Sequence, residues 1–155
     1  MAARNAGNAP AFAANTTNRV VGNGTTGPVV DDPAVHAEVS AAFARYEAAL
    51  VAGDHTVLNE SFWASPATVR FGIADHQQGI DELRAWRATQ GPLDGRDTQN
   101  TRITTFGTNT AVVTTLFRYP GRPVVGRQSQ TWVRMPAGWR IVSAHVSEIS
   151  TETDQ

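Results

Sequence analysis

The second half of the chain changes from helical spacing to a period of two, and this constrains the fold more than any other feature. "TQNTRITTFG", "AVVTTLFRY", "VVGRQSQTWVRM" and "GWRIVSAHVS" follow one another from Thr98 to Ser147. They are rich in Thr, Val and aromatic residues, which favour extended backbone. "GTN" and "MPAG" are short enough to be hairpin connections. Four such strands in succession predict an antiparallel meander.

The preceding sequence predicts about three helices. "DDPAVHAEVSAAFARYEAALVAGD" has an Asp cap, Pro33 in the first turn and Gly53 as a stop. Val35, Val39, Phe43, Tyr46 and Leu50 recur at helical spacing and form one apolar face. A short second helix covers "DHTVLNESF", "ATVRFG" is a short strand, and "GIDELRAWRATQGP" is a third helix closed by Gly91-Pro92. Asp75-His76 is read as part of that helix's N-terminal turn. Helices first and strands afterwards give an α+β class. A strongly bent antiparallel sheet wrapped around the helices would make a cone, whose open mouth is a natural small-molecule site.

The 155 residues suit one folded domain, taken as 31–149, with an extended or disordered arm over 1–30 and a flexible tail over 150–155. The arm is rich in Ala, Asn, Gly and Thr, although "RVVGNGTTGPVV" could add a strand to a sheet edge. It lacks the continuous apolar segment of a signal peptide, and no run is long enough to span a bilayer. A net charge of −1 without a basic stripe argues against nucleic acid. The absence of cysteine excludes disulfides and thiolate sites, and with the rest it suggests a cytoplasmic protein. His36, His55, His76 and His145 lack metal-ligand spacing, and "GNGTTG" has neither the Lys nor the helix of a phosphate loop. No metal or cofactor is expected.

Strict alternation in the last strand puts Trp139, Ile141, Ser143, His145 and Ser147 on one face. Arg140, Val142, Ala144 and Val146 fall on the other. The first set becomes polar toward its end, as a cavity wall would near its mouth. Gln128 and Gln130 on the preceding strand are expected to face the same space. Val142, Ala144 and Val146 of the second set are apolar and would be covered by a partner subunit, giving a two-fold homodimer packed sheet to sheet.

With these pieces in place, "FARYEAAL", "FWASPATVRFG", "GRQSQTWVR" and "GWRIVSAHVS" together resemble the AtzH-like family, also called DUF3225, which includes the oxalurate-catabolism protein HpxZ. The resemblance covers about His36 to Ser147. It places the chain in the cystatin-like, nuclear-transport-factor-2-like superfamily with SnoaL cyclases and ketosteroid isomerase. It implies a small cofactor-free enzyme of ureido-acid catabolism, since the family's namesake converts 1,3-dicarboxyurea to allophanate with loss of carbon dioxide. It also implies pocket positions for Tyr46 and Arg70, with His145 and Ser147 beside them. Tyr46 would donate to a carbonyl or oxyanion, Arg70 would clamp a substrate carboxylate, and His145 would act as general base. Trp63, Asp75, Arg87, Gln90, Gln128, Gln130 and Ser147 complete the expected substrate-contacting set. For Arg70 a surface arginine paired with Asp75 is the plainer reading. For Tyr46 it is a core tyrosine bonded at the rim, and for His145 a histidine satisfied by nearby backbone.

The sequence departs from the family pattern in three places. Asp75 stands where the family has Glu, Gln78 replaces a tyrosine, and Gln90 replaces a second arginine, with Arg87 one turn earlier as a substitute. These departures bear on the substrate. A non-catalytic binding or dimerisation module of the same fold, or an isomerase or dehydratase, are the alternatives to a hydrolase of carboxylated ureas.

Overall fold

The computed structural model describes residues 27–152. The proposed arm before residue 27 and the tail after 152 lie outside the described residues. Helix α1 (Pro33–Ala52) begins where the Asp32 side chain accepts from the N–H groups of Ala34 and Val35 at 3.0 and 3.1 Å. It ends at Gly53, whose φ of 69° is a left-handed conformation that glycine adopts without strain. Asp54 then caps α2 (His55–Ser61) through the Val57 N–H. Strands β1 (Val69–Phe71) and β2 (His76–Gln78) precede α3 (Ile80–Arg87). The meander follows as β3 (Asp97–Phe106), β4 (Thr110–Arg118), β5 (Val124–Met135) and β6 (Gly138–Ser150).

The six strands form one curved sheet in the order β2-β1-β6-β5-β4-β3. Two expectations are corrected here. The sheet is mixed, because β1 runs parallel to β6 while every other neighbouring pair is antiparallel. β1 and β6 are joined through β2, α3 and β3–β5 rather than by a hairpin, so no turn imposes an antiparallel return. His76 belongs to a strand, not to a helix-leading turn. It pairs with Phe71, and the peptide N–H of Gly72 donates to the Asp75 carbonyl at 2.8 Å to close the β1–β2 hairpin.

The buried face of α1 (Val35, Val39, Phe43, Tyr46, Ala49, Leu50) lies in the core with Leu58, Phe62, Leu83, Trp132 and Ile141. The Tyr46 ring meets Phe62 and Trp132 edge-on at centroid distances of 6.1 and 6.3 Å. The end of the expected arm touches the opposite sheet edge. Val30 bridges Phe106, and Asp31 N–H donates to the Thr105 carbonyl at 3.0 Å.

A bulge in β6 decides which side chains reach the cavity. Trp132 pairs with Ile141 but Thr131 pairs with Ser143, so Val142 is an extra residue. One extra residue reverses the alternation of everything beyond it. Before the bulge Trp139 and Ile141 point inward, as expected. After it Ala144, Val146 and Glu148 take the inner face, and Ser143, His145 and Ser147 take the outer one. The register across the sheet agrees. The row Arg102, Thr114, Ser129, His145, Phe71 is exposed throughout, whereas its neighbour Val113, Gln130, Ala144, Arg70, Gln77 is buried or nearly so. Ala144 and Val146 therefore do not contribute to the apolar outer patch from which the sheet-to-sheet dimer was expected.

Candidate functional site

The concave face of the sheet, α1, α3 and the loop between α3 and β3 enclose a cavity of about 660 Å³. Its side chains follow from the inner rows of the register. The row through Ala144 supplies Arg70 and Gln130, the next through Val146 supplies Gln128, and the third through Glu148 supplies Phe117. Helix α1 adds Tyr46 and Leu50, and α3 adds Trp86 and Arg87.

Arg70 is held from three sides. Its Nη1 donates to Asp75 Oδ1 at 2.8 Å and to Gln77 Oε1 at 2.9 Å, and its guanidinium lies 3.9 Å from the centroid of a Trp86 ring. Gln77 Nε2 in turn donates to Asp75 Oδ1 at 2.9 Å. The pairing with Asp75 anticipated as the plainer reading is present, yet the Arg70 side chain is only 12% exposed and lines the cavity. Burial lowers its pKa. Tyr46 and Asp75 oppose that, and the charge of Arg87 adds to it. Asp75 loses some stabilisation to desolvation, but its bonds from Gln77 and Arg70 outweigh this and hold its pKa below the usual carboxylate value.

Arg87 sits in the last turn of α3, is 4% exposed, and has no partner for Nε or Nη2 among the described residues. Its closest aromatic neighbours are Trp86 and Phe62, with centroids at 4.8 and 6.0 Å. Gln130 is similarly poised. Its Oε1 accepts from the indole N–H of Trp132 at 3.0 Å, which fixes the amide orientation and leaves the buried Nε2 without an acceptor. Buried donors without partners are costly, because each has given up its water. Two guanidiniums, an amide N–H pair and the Tyr46 hydroxyl on one cavity have the chemistry to hold an anion with a carbonyl next to it.

A second buried network, absent from the sequence reading, builds the opposite wall. Glu47 Oε2 accepts from Arg96 Nε at 2.8 Å, Glu47 Oε1 accepts from Gln128 Nε2 at 2.9 Å, and Gln128 Oε1 accepts from Arg96 Nη2 at 3.1 Å. Arg96 also stacks 3.9 Å from the Phe117 ring centroid. Phe117 in turn lies against Gly126, where any Cβ would collide with its ring. The Glu47 network raises the Arg96 pKa against the opposing effect of burial.

Of the expected positions, Tyr46, Arg70, Asp75, Arg87, Gln90, Gln128 and Gln130 line this one cavity. Gln90 lies at the exposed rim, where its carbonyl accepts from His55 Nε2 at 2.8 Å if that nitrogen carries the proton. Three do not belong to the lining. His145 is exposed on the outer face, edge-on to Phe71 at 5.8 Å. Ser147, on the same face, accepts from Arg127 Nε at 3.1 Å. The bulge at Val142 is the reason for both. Trp63 is half-buried in the α2–β1 connection, where its backbone N–H donates to the Ile141 carbonyl at 3.0 Å. A general-base role for His145 in this cavity is thereby withdrawn.

Comparison with known proteins adds the relationship. The family model described as AtzH-like matches residues 28–152. The chain is similar to a solved DUF3225-family protein from Pectobacterium atrosepticum, with 49% identity, a TM-score of 0.75, and coverage of 78% of this chain and 95% of that one. It is also similar to a cystatin-like fold protein from Burkholderia xenovorans, with 47% identity, a TM-score of 0.78, and coverage of 81% and 100%. A ketosteroid isomerase-like protein from Erwinia carotovora atroseptica shares the fold at 16% identity and a TM-score of 0.64, covering 77% and 99%. No functionally curated protein matches the chain.

Proposed function

The chain belongs to the AtzH-like family, and on that premise we propose that its cavity is the active site of an enzyme that removes a carboxyl group from a small ureido acid. The observation that carries this reading is Arg87, a guanidinium 4% exposed with two nitrogens unpartnered, lining the same cavity as Arg70. Such a group needs an anion, and a carboxylate fits its planar fork.

The surrounding groups suit loss of carbon dioxide from an N-carboxylate. The carboxylates nearest the arginines are engaged, Asp75 by Arg70 and Gln77, Glu47 by Arg96 and Gln128. A mechanism that needs no free base therefore agrees best with them. The N–COO⁻ bond breaks, and its electron pair stays on nitrogen and delocalises onto the neighbouring ureido oxygen. Donors at that oxygen stabilise the developing charge, and Gln130 Nε2, a neutral donor without an acceptor among the described residues, reaches it by a small rotation of its amide. The Tyr46 hydroxyl gives nitrogen its proton and recovers one from water. Arg70 and Arg87 hold the carboxylates in position.

The test is release of carbon dioxide from 1,3-dicarboxyurea, with oxalurate, allophanate and biuret as comparisons. Turnover of at least one carboxylated urea is expected. Tyr46→Phe should lower kcat by about 10²–10⁴-fold, the range for loss of a positioned proton donor, while leaving ligand affinity within a few-fold. A thermal shift with these acids but no turnover would reassign the cavity to a binding module. No interaction with any of them would remove the ureido-acid reading.

A further inference from the structure

We propose that the cavity is bipolar, and that Glu148 forms an acceptor subsite for N–H groups at the end of the ligand remote from its carboxylate. The proposal rests on the carboxylate-site reading above and adds the chemistry of the ligand's other end. Glu148 lines the cavity because the β6 bulge turns it inward. Its Oε2 accepts from Arg122 Nη2 at 3.0 Å, and its buried Oε1 has no donor among the described residues. Its side chain is 13% exposed, so water offers little compensation. The terminal torsion of a glutamate is broad, so a small rotation presents this oxygen to a ligand.

The two ends of the cavity are separated by the sheet itself. Arg70 and Gln130 share the row of Ala144, and Glu148 stands four residues farther along the same strand. At about 3.3 Å per residue this is about 13 Å of strand. Donors without acceptors thus cluster at one end, and an acceptor without a donor lies at the other. A dicarboxylate long enough to span the cavity would bring its second charge toward Glu148. An acid ending in a primary amide or ureido group would complete both ends. The cavity, at about 660 Å³, has room for a ligand longer than one carboxylated urea.

The experiment measures dissociation constants for pairs of acids that differ only in the terminal group. These are the ω-ureido acids of glycine, β-alanine and 4-aminobutyrate, each against its N-acetyl analogue, in which CH3 replaces the terminal NH2. The native protein should prefer the ureido member of at least one pair by about tenfold, as expected for a hydrogen bond to a charged acceptor. Glu148→Met should reduce that ratio to within about threefold. Glu148→Gln, which keeps one carbonyl oxygen, should retain part of it. Circular dichroism confirms that both variants fold. Equal affinity within every pair for the native protein, or a preference unchanged in Glu148→Met, would overturn the subsite and leave the carboxylate site standing. If neither member of any pair binds, the underlying carboxylate reading fails as well.

Discussion

Arg87→Met is expected to raise the melting temperature of the ligand-free protein and to weaken its affinity for small ureido acids by roughly one and a half to three and a half decades. The two effects have one cause. Arg87 is almost fully buried, and its Nε and Nη2 have no partner among the described residues. Desolvating a charge without full compensation costs stability, and replacing buried ionic groups by apolar ones of similar volume is neutral or stabilising by about 1–4 kcal/mol. Methionine follows the same path past Trp86 and Phe62 without the charge. Binding changes in the opposite direction. A carboxylate deprived of one buried partner loses about 2–5 kcal/mol, or roughly one and a half to three and a half decades of affinity. Differential scanning fluorimetry of the free protein and calorimetry with the acid measure the two. A lower melting temperature with unchanged affinity would make Arg87 a structural residue and move the clamp to Arg70 alone.

Glu47→Ala should destabilise the fold by about 3–5 kcal/mol, the cost of stripping one partner from a buried ion pair. The Arg96 side chain is 3% exposed, and Glu47 supplies both of its carboxylate contacts, at 2.8 and 3.3 Å. Gln128 loses its acceptor in the same step. The pair also ties the α3–β3 loop to α1, so the cavity wall should loosen and KM should rise along with the loss of stability. Glu47→Met/Arg96→Met should recover most of the stability, because no charge is then left unpaired. Urea denaturation provides the comparison. A loss below about 1 kcal/mol for Glu47→Ala would mean that the pair behaves as a solvated surface contact.

Much of the fold was legible because local signals agreed with one another. Asp32, Pro33 and Gly53 mark α1 by capping and backbone preference alone, and the apolar spacing from Val35 to Leu50 names its buried face. The β5 limits, Val124–Met135, coincide with the alternating segment. Tyr46 and Arg70 were found through a helix face and a family motif. The misplacement of His145 and Ser147 has a specific origin. "IVSAHVS" alternates cleanly and contains neither Gly nor Pro to signal a bulge, so a parity argument continues through Val142 as though the strand were regular. Strand β2 was missed because "HQQ" carries no β-branched residue and is held by its partner β1. The sequence reading included Arg87 only as a substitute for a missing arginine. Its unpartnered nitrogens become visible only when α3 is laid against the sheet. Glu47 and Arg96 are 49 residues apart, and the spacing of neither one suggests the other.

The claim that this cavity holds a carboxylate between Arg70 and Arg87 is tested most directly by a crystal structure with N-carbamoylglycine, an unreactive ureido acid. The account predicts the carboxylate within hydrogen-bond distance of an Arg87 nitrogen and of an Arg70 nitrogen, with the ureido group directed along β6 toward Glu148. An acid found on the outer face beside His145 and Ser147, or a cavity left without it at saturating concentration, would contradict the account.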